Sequence, residues 1–243
     1  MSVAVLIPWR PGCAHRARAL EHVEAGYLAA HPAWELVLGS TEGDGWCKAA
    51  AIADALCHTA AEVLVIADAD VWCDDTALAV SAVEQGAAWA VPHRGVHRLT
   101  EASTLQYTAG GAWPHLELDE RAYRGVEGGG ITVMRRDVYD ACPLDARFIG
   151  WGSEDESWGM ALRTMFSAPW RGKVPLIHLW HPPQQRATRA RGSMASWELR
   201  KRYARAQRNA AAMAALIEEG RRVAREAHQP AMHDHAPPGI RHR

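Results

Sequence analysis

The chain has 243 residues, 48% hydrophobic and 23% charged, enough apolar material for one substantial core and too much for a disordered polyanion, a collagen or a disulfide miniprotein. Its net charge of −1 hides an asymmetry: residues 1–185 carry 14 Lys and Arg against 23 Asp and Glu, a net of −9, and residues 186–243 carry 13 against 5, a net of +8. An acidic body needs a metal or local Arg residues to hold a multiply negative ligand, while a basic tail suits phosphate, a membrane surface or the body itself. Two units follow, a body over 1–185 and a basic helical extension over 186–243 that packs on it and ends in a frayed tail. Cys13, Cys47, Cys57, Cys73 and Cys142 are odd in number and lack C-x-x-C spacing, so neither a disulfide framework nor a cysteine zinc site is expected. The opening MSVAVLIPW is too short for a signal peptide, and no window reaches bilayer length, so the reading places the chain in a reducing cytoplasm.

In chain order, Val3 to Ile7 is an apolar, β-branched run that stops at Pro8, as a buried parallel strand does. Ala14 to Ala30 is expected as a helix with Ala17, Leu20, Val23, Ala25 and Leu28 inward, followed by a strand at Glu35 to Gly39 and a helix from Gly45 to Ala60. Glu62 to Ala67 is the strongest strand and runs into Asp68-Ala69-Asp70; a helix from Asp74-Asp75 to Gln85 and a short strand at Ala88 to Val91 come next. Pro92 to Glu127 loses periodicity and is too long for a simple connection, so it is expected to face a substrate, anchored by Tyr107, Trp113, Leu116 and Tyr123. A strand at Ile131 to Met134, a short helix at Arg136 to Ala141, a helix capped by Ser153 with Glu156 three residues on, a strand at Val174 to Trp180 and one helix from Met194 to Ala227 complete the chain. Alternating strands and helices argue a Rossmann-like α/β sheet, mixed but mainly parallel, flanked by helices, with its ligand crevice at the carboxyl ends of the strands.

Four constellations carry chemistry. In an extended segment Asp68 and Asp70 project to one side, and two close carboxylates call for a cation such as Mg²⁺ or Mn²⁺ bearing phosphate oxygens. Gly128-Gly129-Gly130 allows close backbone approach to a ligand or a tight bend into a strand. FIGWGSEDESWG, Phe148 to Gly159, sets three acids beside two tryptophans at a helix start, where a carboxylate can accept a proton from a hydroxyl nucleophile. In HLWHP, His178 and His181 are three apart, so an unbroken strand points them to opposite faces; one metal ligand is expected rather than two unless the chain turns before Pro182.

Taken in order, IPWRPG, WCKAAAIADAL, LVIADAD, EGGGITVMRRDVY, FIGWGSEDE and HLWH resemble the nucleotide-sugar glycosyltransferases of the single-domain α/β (GT-A) type, in particular the inverting enzymes related to β-1,4-galactosyltransferases and the polypeptide or chondroitin-type transferases. The resemblance covers most of residues 3 to 182. It implies that Pro8, Trp9 and Arg10 border the nucleotide base with Lys48 near the same nucleotide, that Asp68 lies near ribose and metal, and that Asp70 ligates Mn²⁺ or Mg²⁺ across the two phosphates. It further implies Gly129 and Gly130 along the sugar-diphosphate, Trp151 near donor and acceptor, Glu154 on sugar hydroxyls, Asp155 as general base, and His178 or His181 as the remaining metal ligand. A metal-dependent inverting transfer from a nucleotide-sugar, by default a UDP-sugar, to an acceptor hydroxyl follows, the acceptor being a glycan, a protein or hydroxylated DNA. Two other classes compete. A nucleotidyltransferase also uses paired carboxylates, but PWRPGC lacks the spacing of a basic glycine-rich phosphate loop. A noncatalytic carbohydrate- or nucleic-acid-binding protein would use the tryptophans and the basic side of the last helix, Arg200, Lys201, Arg205 and Arg208, but has no need of a D-x-D strand or an acid-rich helix start.

Overall fold

The computed structural model describes residues 1–41, 45–183 and 194–228; the expected frayed end at 233–243 lies outside them. Seven strands form one mixed sheet: β1 (Val3–Pro8), β2 (Glu35–Gly39), β3 (Val63–Ala67), β4 (Val71–Trp72), β5 (Trp89–Arg98), β6 (Ile131–Arg135) and β7 (Trp170–His178), in the order β2-β1-β3-β6-β5-β7-β4. β1 pairs parallel with β2 and β3, and β5 with β7. β6 runs antiparallel to both β3 and β5, and β4 antiparallel to β7. Helices cover both faces: α1 (Ala14–Ala30), α2 (Lys48–Leu56), α3 (Thr76–Glu84), α4 (Glu101–Thr108), α5 (Arg136–Ala141), α6 (Glu154–Met165), α7 (Met194–Ala206) and α8 (Ala210–His228). This is the expected α/β architecture.

The alternation of β1 explains the two layers. Ala4 and Leu6 belong to one apolar cluster with α2, α5, α6, α7 and α8, while Val3, Val5 and Ile7 belong to the other with α1 and α3. Every residue of β1 and β3 is buried, because a sheet covered on both faces needs apolar side chains at both parities.

Several sequence expectations change. α1 turns Arg16, Ala19, Leu20, Val23 and Tyr27 inward, whereas Ala25 and Leu28 are exposed. α2 is shorter than expected, beginning at Lys48 after the buried Trp46. The stretch from Pro92 to Glu127 is not without structure: β5 continues to Arg98, α4 follows, and the chain returns to pair Val96 with Tyr123 and Leu99 with Leu118. Ser153 sits at φ 77 with no side-chain cap bond, so the expected capping box is absent. The single C-terminal helix is two helices, broken where Arg208 adopts φ 62.

The two C-terminal helices complete the core. Leu199, Tyr203, Met213, Leu216 and Ile217 join Phe148, Trp158 and Leu162 in one cluster. The buried Asp145 ties this region together: Arg147 Nη2 donates to it at 2.6 Å and to the Leu216 carbonyl at 3.0 Å, and the Tyr203 hydroxyl donates to it at 2.9 Å. Arg147 Nη1 also reaches Glu219 at 2.5 Å. Of the four basic residues expected on the polar side, Arg200 is bound to Glu156 and Lys201 to Glu198, leaving Arg205 and Arg208 exposed. No helix among the described residues is long and apolar enough to cross a membrane. Tyr203→Phe removes a buried hydrogen bond to a charged group and is expected to lower the unfolding free energy by about 1.5–3 kcal/mol in urea denaturation; an unchanged midpoint would contradict the role given to Asp145.

Candidate active site

The site forms where strand ends meet helix starts. β1 ends at Pro8, β3 at Ala67 and β7 at His178; β6, running the other way, begins there, and α2 and α6 begin there too. Together they border a cavity of about 710 Å³. Of the residues expected to act, Pro8, Lys48, Asp68, Asp70, Gly129, Gly130, Trp151, Glu154, Asp155, His178 and His181 all line it. Trp9 and Arg10 do not, since the chain leaves the rim at the end of β1 and the Trp9 amide bonds outward to the Gly39 carbonyl at 2.7 Å.

The two aspartates that follow β3 have separate surroundings. Asp68 accepts from Lys48 Nζ at 2.7 Å on one oxygen and from the Gly130 amide at 3.2 Å on the other. Its own amide donates to the Gly130 carbonyl at 2.9 Å, which extends the β3–β6 pairing and aligns the glycine run with the aspartates. Asp68 is thus paired at both oxygens and lies outside the tightest group of possible ion ligands among the described residues. That group is Asp70, His178 and His181, whose ligand atoms lie within 4.8 Å of one another.

Both histidines face Asp70, as a turn of the chain before Pro182 allows. β7 ends at His178, so the strand periodicity that would separate them no longer applies at His181. His181 Nε2 lies 3.2 Å and His178 Nε2 3.9 Å from the carboxylate of Asp70. Each Nδ1 contacts a neighbouring carbonyl, of Leu179 at 2.9 Å and of Pro182 at 2.8 Å. A carbonyl can only accept, so in a neutral His178 ring Nδ1 carries the proton and leaves Nε2 as the lone-pair donor, the arrangement that orients metal-bound imidazoles, while His181 Nε2, 3.2 Å from a carboxylate, is placed as a hydrogen-bond donor to Asp70. Burial pushes the His178 imidazole down to about 4, against the opposing pull of Asp70, which favours the neutral form that ligates. Burial acts to raise Asp70, 3% exposed, but His178, His181 and Arg16 outweigh it and hold the carboxyl well below its usual range. One carboxylate and two imidazoles suit a divalent transition ion.

The acid-rich helix start brings a second pair of carboxylates. Asp155 Oδ1 accepts from Lys48 Nζ at 2.8 Å. Burial raises its carboxyl, Lys48 opposes the rise, and Asp68 adds to it. Glu154 is raised too, by burial and then by Asp155, and its buried Oε2 has no hydrogen-bond partner. α6 approaches the glycine run closely: a Cβ on Gly128 would lie 2.3 Å from the Asp155 carbonyl oxygen, and Gly130 adopts φ +72. The glycines thus seat the helix that bears the carboxylates as well as lining the cavity.

No protein-family model matches the sequence, and no curated protein matches it. Solved structures do. A Drosophila β-1,4-galactosyltransferase 7 variant, in complex with manganese, UDP-galactose and xylobiose, is similar at 13% identity and a TM-score of 0.44, over 71% of this chain and 64% of that one. Glucosyl-3-phosphoglycerate synthase from Mycobacterium tuberculosis, in complex with Mn²⁺, UDP-glucose and phosphoglyceric acid, is similar at 11% identity and a TM-score of 0.43, over 89% of this chain and 80% of that one. The chain thus spans less than two thirds of the length of the galactosyltransferase chain it resembles.

Residues absent from the sequence expectation also line the cavity, among them Arg16, Trp46, Arg98, Glu120 and Trp180. Arg16 left a signal: it stands three, four and seven residues before Ala19, Leu20 and Val23, on the apolar face of α1. Tyr123 faces the cavity as the expected substrate-facing segment would, whereas Trp113 does not line it and packs against His97, with ring centroids 5.2 Å apart.

The raised Glu154 carboxyl has a signed consequence. Burial holds it above the ordinary 4.5 of a glutamic acid, so the folded chain keeps a proton that the unfolded chain releases, and stability is lost as pH rises above about 4.5. Glu154→Gln is expected to gain stability over the parent at pH 8 and little at pH 4, measured by urea denaturation. An equal difference at both would contradict the assignment.

Proposed function

We propose that the chain is a metal-dependent, inverting glycosyltransferase that moves a sugar from a UDP-sugar to an acceptor hydroxyl. The observation that carries the reading is a single cavity holding both a carboxylate–imidazole cluster, Asp70 with His178 and His181, and a Lys-paired carboxylate at a helix start, Asp155. A binding module has no use for both. A nucleotidyltransferase gives no role to the second.

In this reading, Lys48 holds Asp155 Oδ1 and leaves Oδ2 for an acceptor hydroxyl. As the acceptor oxygen bonds to the sugar C1, its proton passes to Asp155, and the electron pair of the old C1–O bond leaves with UDP. Displacement in one step inverts the anomeric carbon, so an α-linked donor yields a β-linked product. Glu154, kept neutral at pH 7 by burial, can both donate and accept bonds from sugar hydroxyls. Trp151, stacked on Trp46 with centroids 5.0 Å apart, offers an aromatic wall to a sugar ring. A divalent ion bound by Asp70, His178 and His181 would supply positive charge to the diphosphate as negative charge develops there. The two imidazoles favour Mn²⁺ over Mg²⁺, because Mg²⁺ prefers an all-oxygen shell. The acceptor is a glycan, a protein or a hydroxylated nucleic acid; the internal pairing of Arg200 and Lys201 leaves less of the basic tail for the last.

Asp155→Asn is expected to lower transfer by about 10²–10⁴-fold while retaining metal-dependent UDP binding. Asp70→Asn is expected to weaken that binding itself. Assays with UDP-glucose and UDP-galactose in Mn²⁺, alongside titration calorimetry with UDP, separate the two. Loss of UDP binding in the Asp155 variant but not in the Asp70 variant would reverse the roles. Replacing Mn²⁺ by Mg²⁺ is expected to reduce turnover, and chelation to abolish it; turnover indifferent to chelator would remove the metal from the account.

A further inference from the structure

Three Lys or Arg side chains among the described residues line the cavity, Arg16, Lys48 and Arg98, and their partners differ. Lys48 is bound to Asp68 and Asp155. Arg98 donates its Nε to the Tyr123 hydroxyl at 2.9 Å and lies 3.1 Å from Glu120. Arg16 is 7% exposed and stands 3.4 Å from Asp70 without the alignment of a hydrogen bond, and its buried Nε has no hydrogen-bond partner. A buried donor left unpaired costs about 1–3 kcal/mol, more when charged. The cost falls at the wall of the cavity, beside the carboxylate of the candidate metal cluster.

Arg16 also packs against an aromatic face. Its guanidinium carbon lies 4.5 Å from the centroid of the Trp151 ring, and Trp151 stacks in turn on Trp46 at an interplanar angle of 17°. An aromatic face fixes a guanidinium through its charge and its flat surface, and leaves the in-plane N–H groups for acceptors at its edge. A forked, in-plane donor set matches phosphate oxygens.

Resting on the glycosyltransferase reading, we propose that Arg16 binds the diphosphate of the donor, next to the ion held by Asp70, and takes up charge reaching the β-phosphate as the C1–O bond breaks. The acceptor oxygen forms the new bond to C1, its proton goes to Asp155, and the bonding pair of the broken bond stays on UDP. Neither of the other two described Lys or Arg residues of the cavity is free of a carboxylate or hydroxyl partner within 3.1 Å. The competing account makes Arg16 a counter-charge for Asp70 alone. It predicts that loss of Arg16 impairs Mn²⁺ binding itself and that lysine is an adequate substitute.

Titration calorimetry on the full chain decides between them, using Mn²⁺ alone, UDP with Mn²⁺, and inorganic pyrophosphate with Mn²⁺, for the parent, Arg16→Gln and Arg16→Lys. Arg16→Gln is expected to bind Mn²⁺ alone within about 3-fold of the parent and to bind UDP and pyrophosphate at least about 10-fold more weakly, with Arg16→Lys restoring only part of the loss. Unchanged UDP affinity in Arg16→Gln, a parallel loss of Mn²⁺ alone, or full rescue by lysine overturns the proposal and leaves the glycosyltransferase reading standing. A parent that binds pyrophosphate through Arg16 but not UDP keeps the anion site and overturns the UDP-sugar reading; a parent that binds neither overturns both. Should Arg16→Gln not fold, Arg16→Lys carries the test, with several-fold weaker UDP and unchanged Mn²⁺ as the supporting result and parental UDP affinity as the contrary one.

Discussion

Lys48 is 6% exposed and stands in the first turn of α2, where the helix dipole disfavours a cation. Desolvating an ammonium costs several kcal/mol, and the structure offsets this with two carboxylates within 2.8 Å. Those carboxylates come from β3's end and from α6, so one side chain joins three elements that are far apart in sequence. Burial would lower the Lys48 ammonium, but Asp155 and Asp68 hold it above its ordinary range, and it stays charged at any working pH. Two consequences shape the cavity. Asp68 is paired with Lys48, while Asp70 faces the two histidines. Asp155 is held at Oδ1 by the same ammonium, at the wall of the cavity.

Much of the framework was legible where local pattern and tertiary environment agree. β1, β2, α1 and α5 lie where apolar runs and helix punctuation put them, and β1, buried on both faces, shows why such a strand needs unbroken apolar sequence. β4 is only two residues long and exists through its pairing with β7, a nonlocal fact. β5 reads as a loop after Val91 because Pro92, Arg94 and Gly95 interrupt it, and its pairing with β7 shifts register at those residues. The break between α7 and α8 falls at Arg208 in the left-handed region, with no glycine to announce it.

The chemistry was legible at a coarser level. Asp70, Lys48, Asp155 and both histidines meet in one cavity, but their division of labour depends on distances that spacing does not encode. Strand parity would set the two histidines on opposite faces, but β7 stops at the first and both rings reach Asp70. Arg16 went unread because a cation within an apolar helical face is informative only once the face is known to border a cavity. The C-terminal helices act on the site through contact: Arg200 holds Glu156, next to Asp155, while Tyr203 and Arg147 secure Asp145 below the loop that carries Trp151. The basic charge of that segment is spent in part on the acidic body it covers.

The claim that this cavity performs direct, metal-assisted displacement at a sugar C1 is tested most directly with water as the acceptor. Slow hydrolysis of UDP-glucose or UDP-galactose by the Mn²⁺-loaded chain, followed by proton NMR before mutarotation, reports which anomer of the free sugar forms first. The account predicts the β-anomer together with UDP. Initial release of the α-anomer, or of sugar phosphate with UMP, would contradict it.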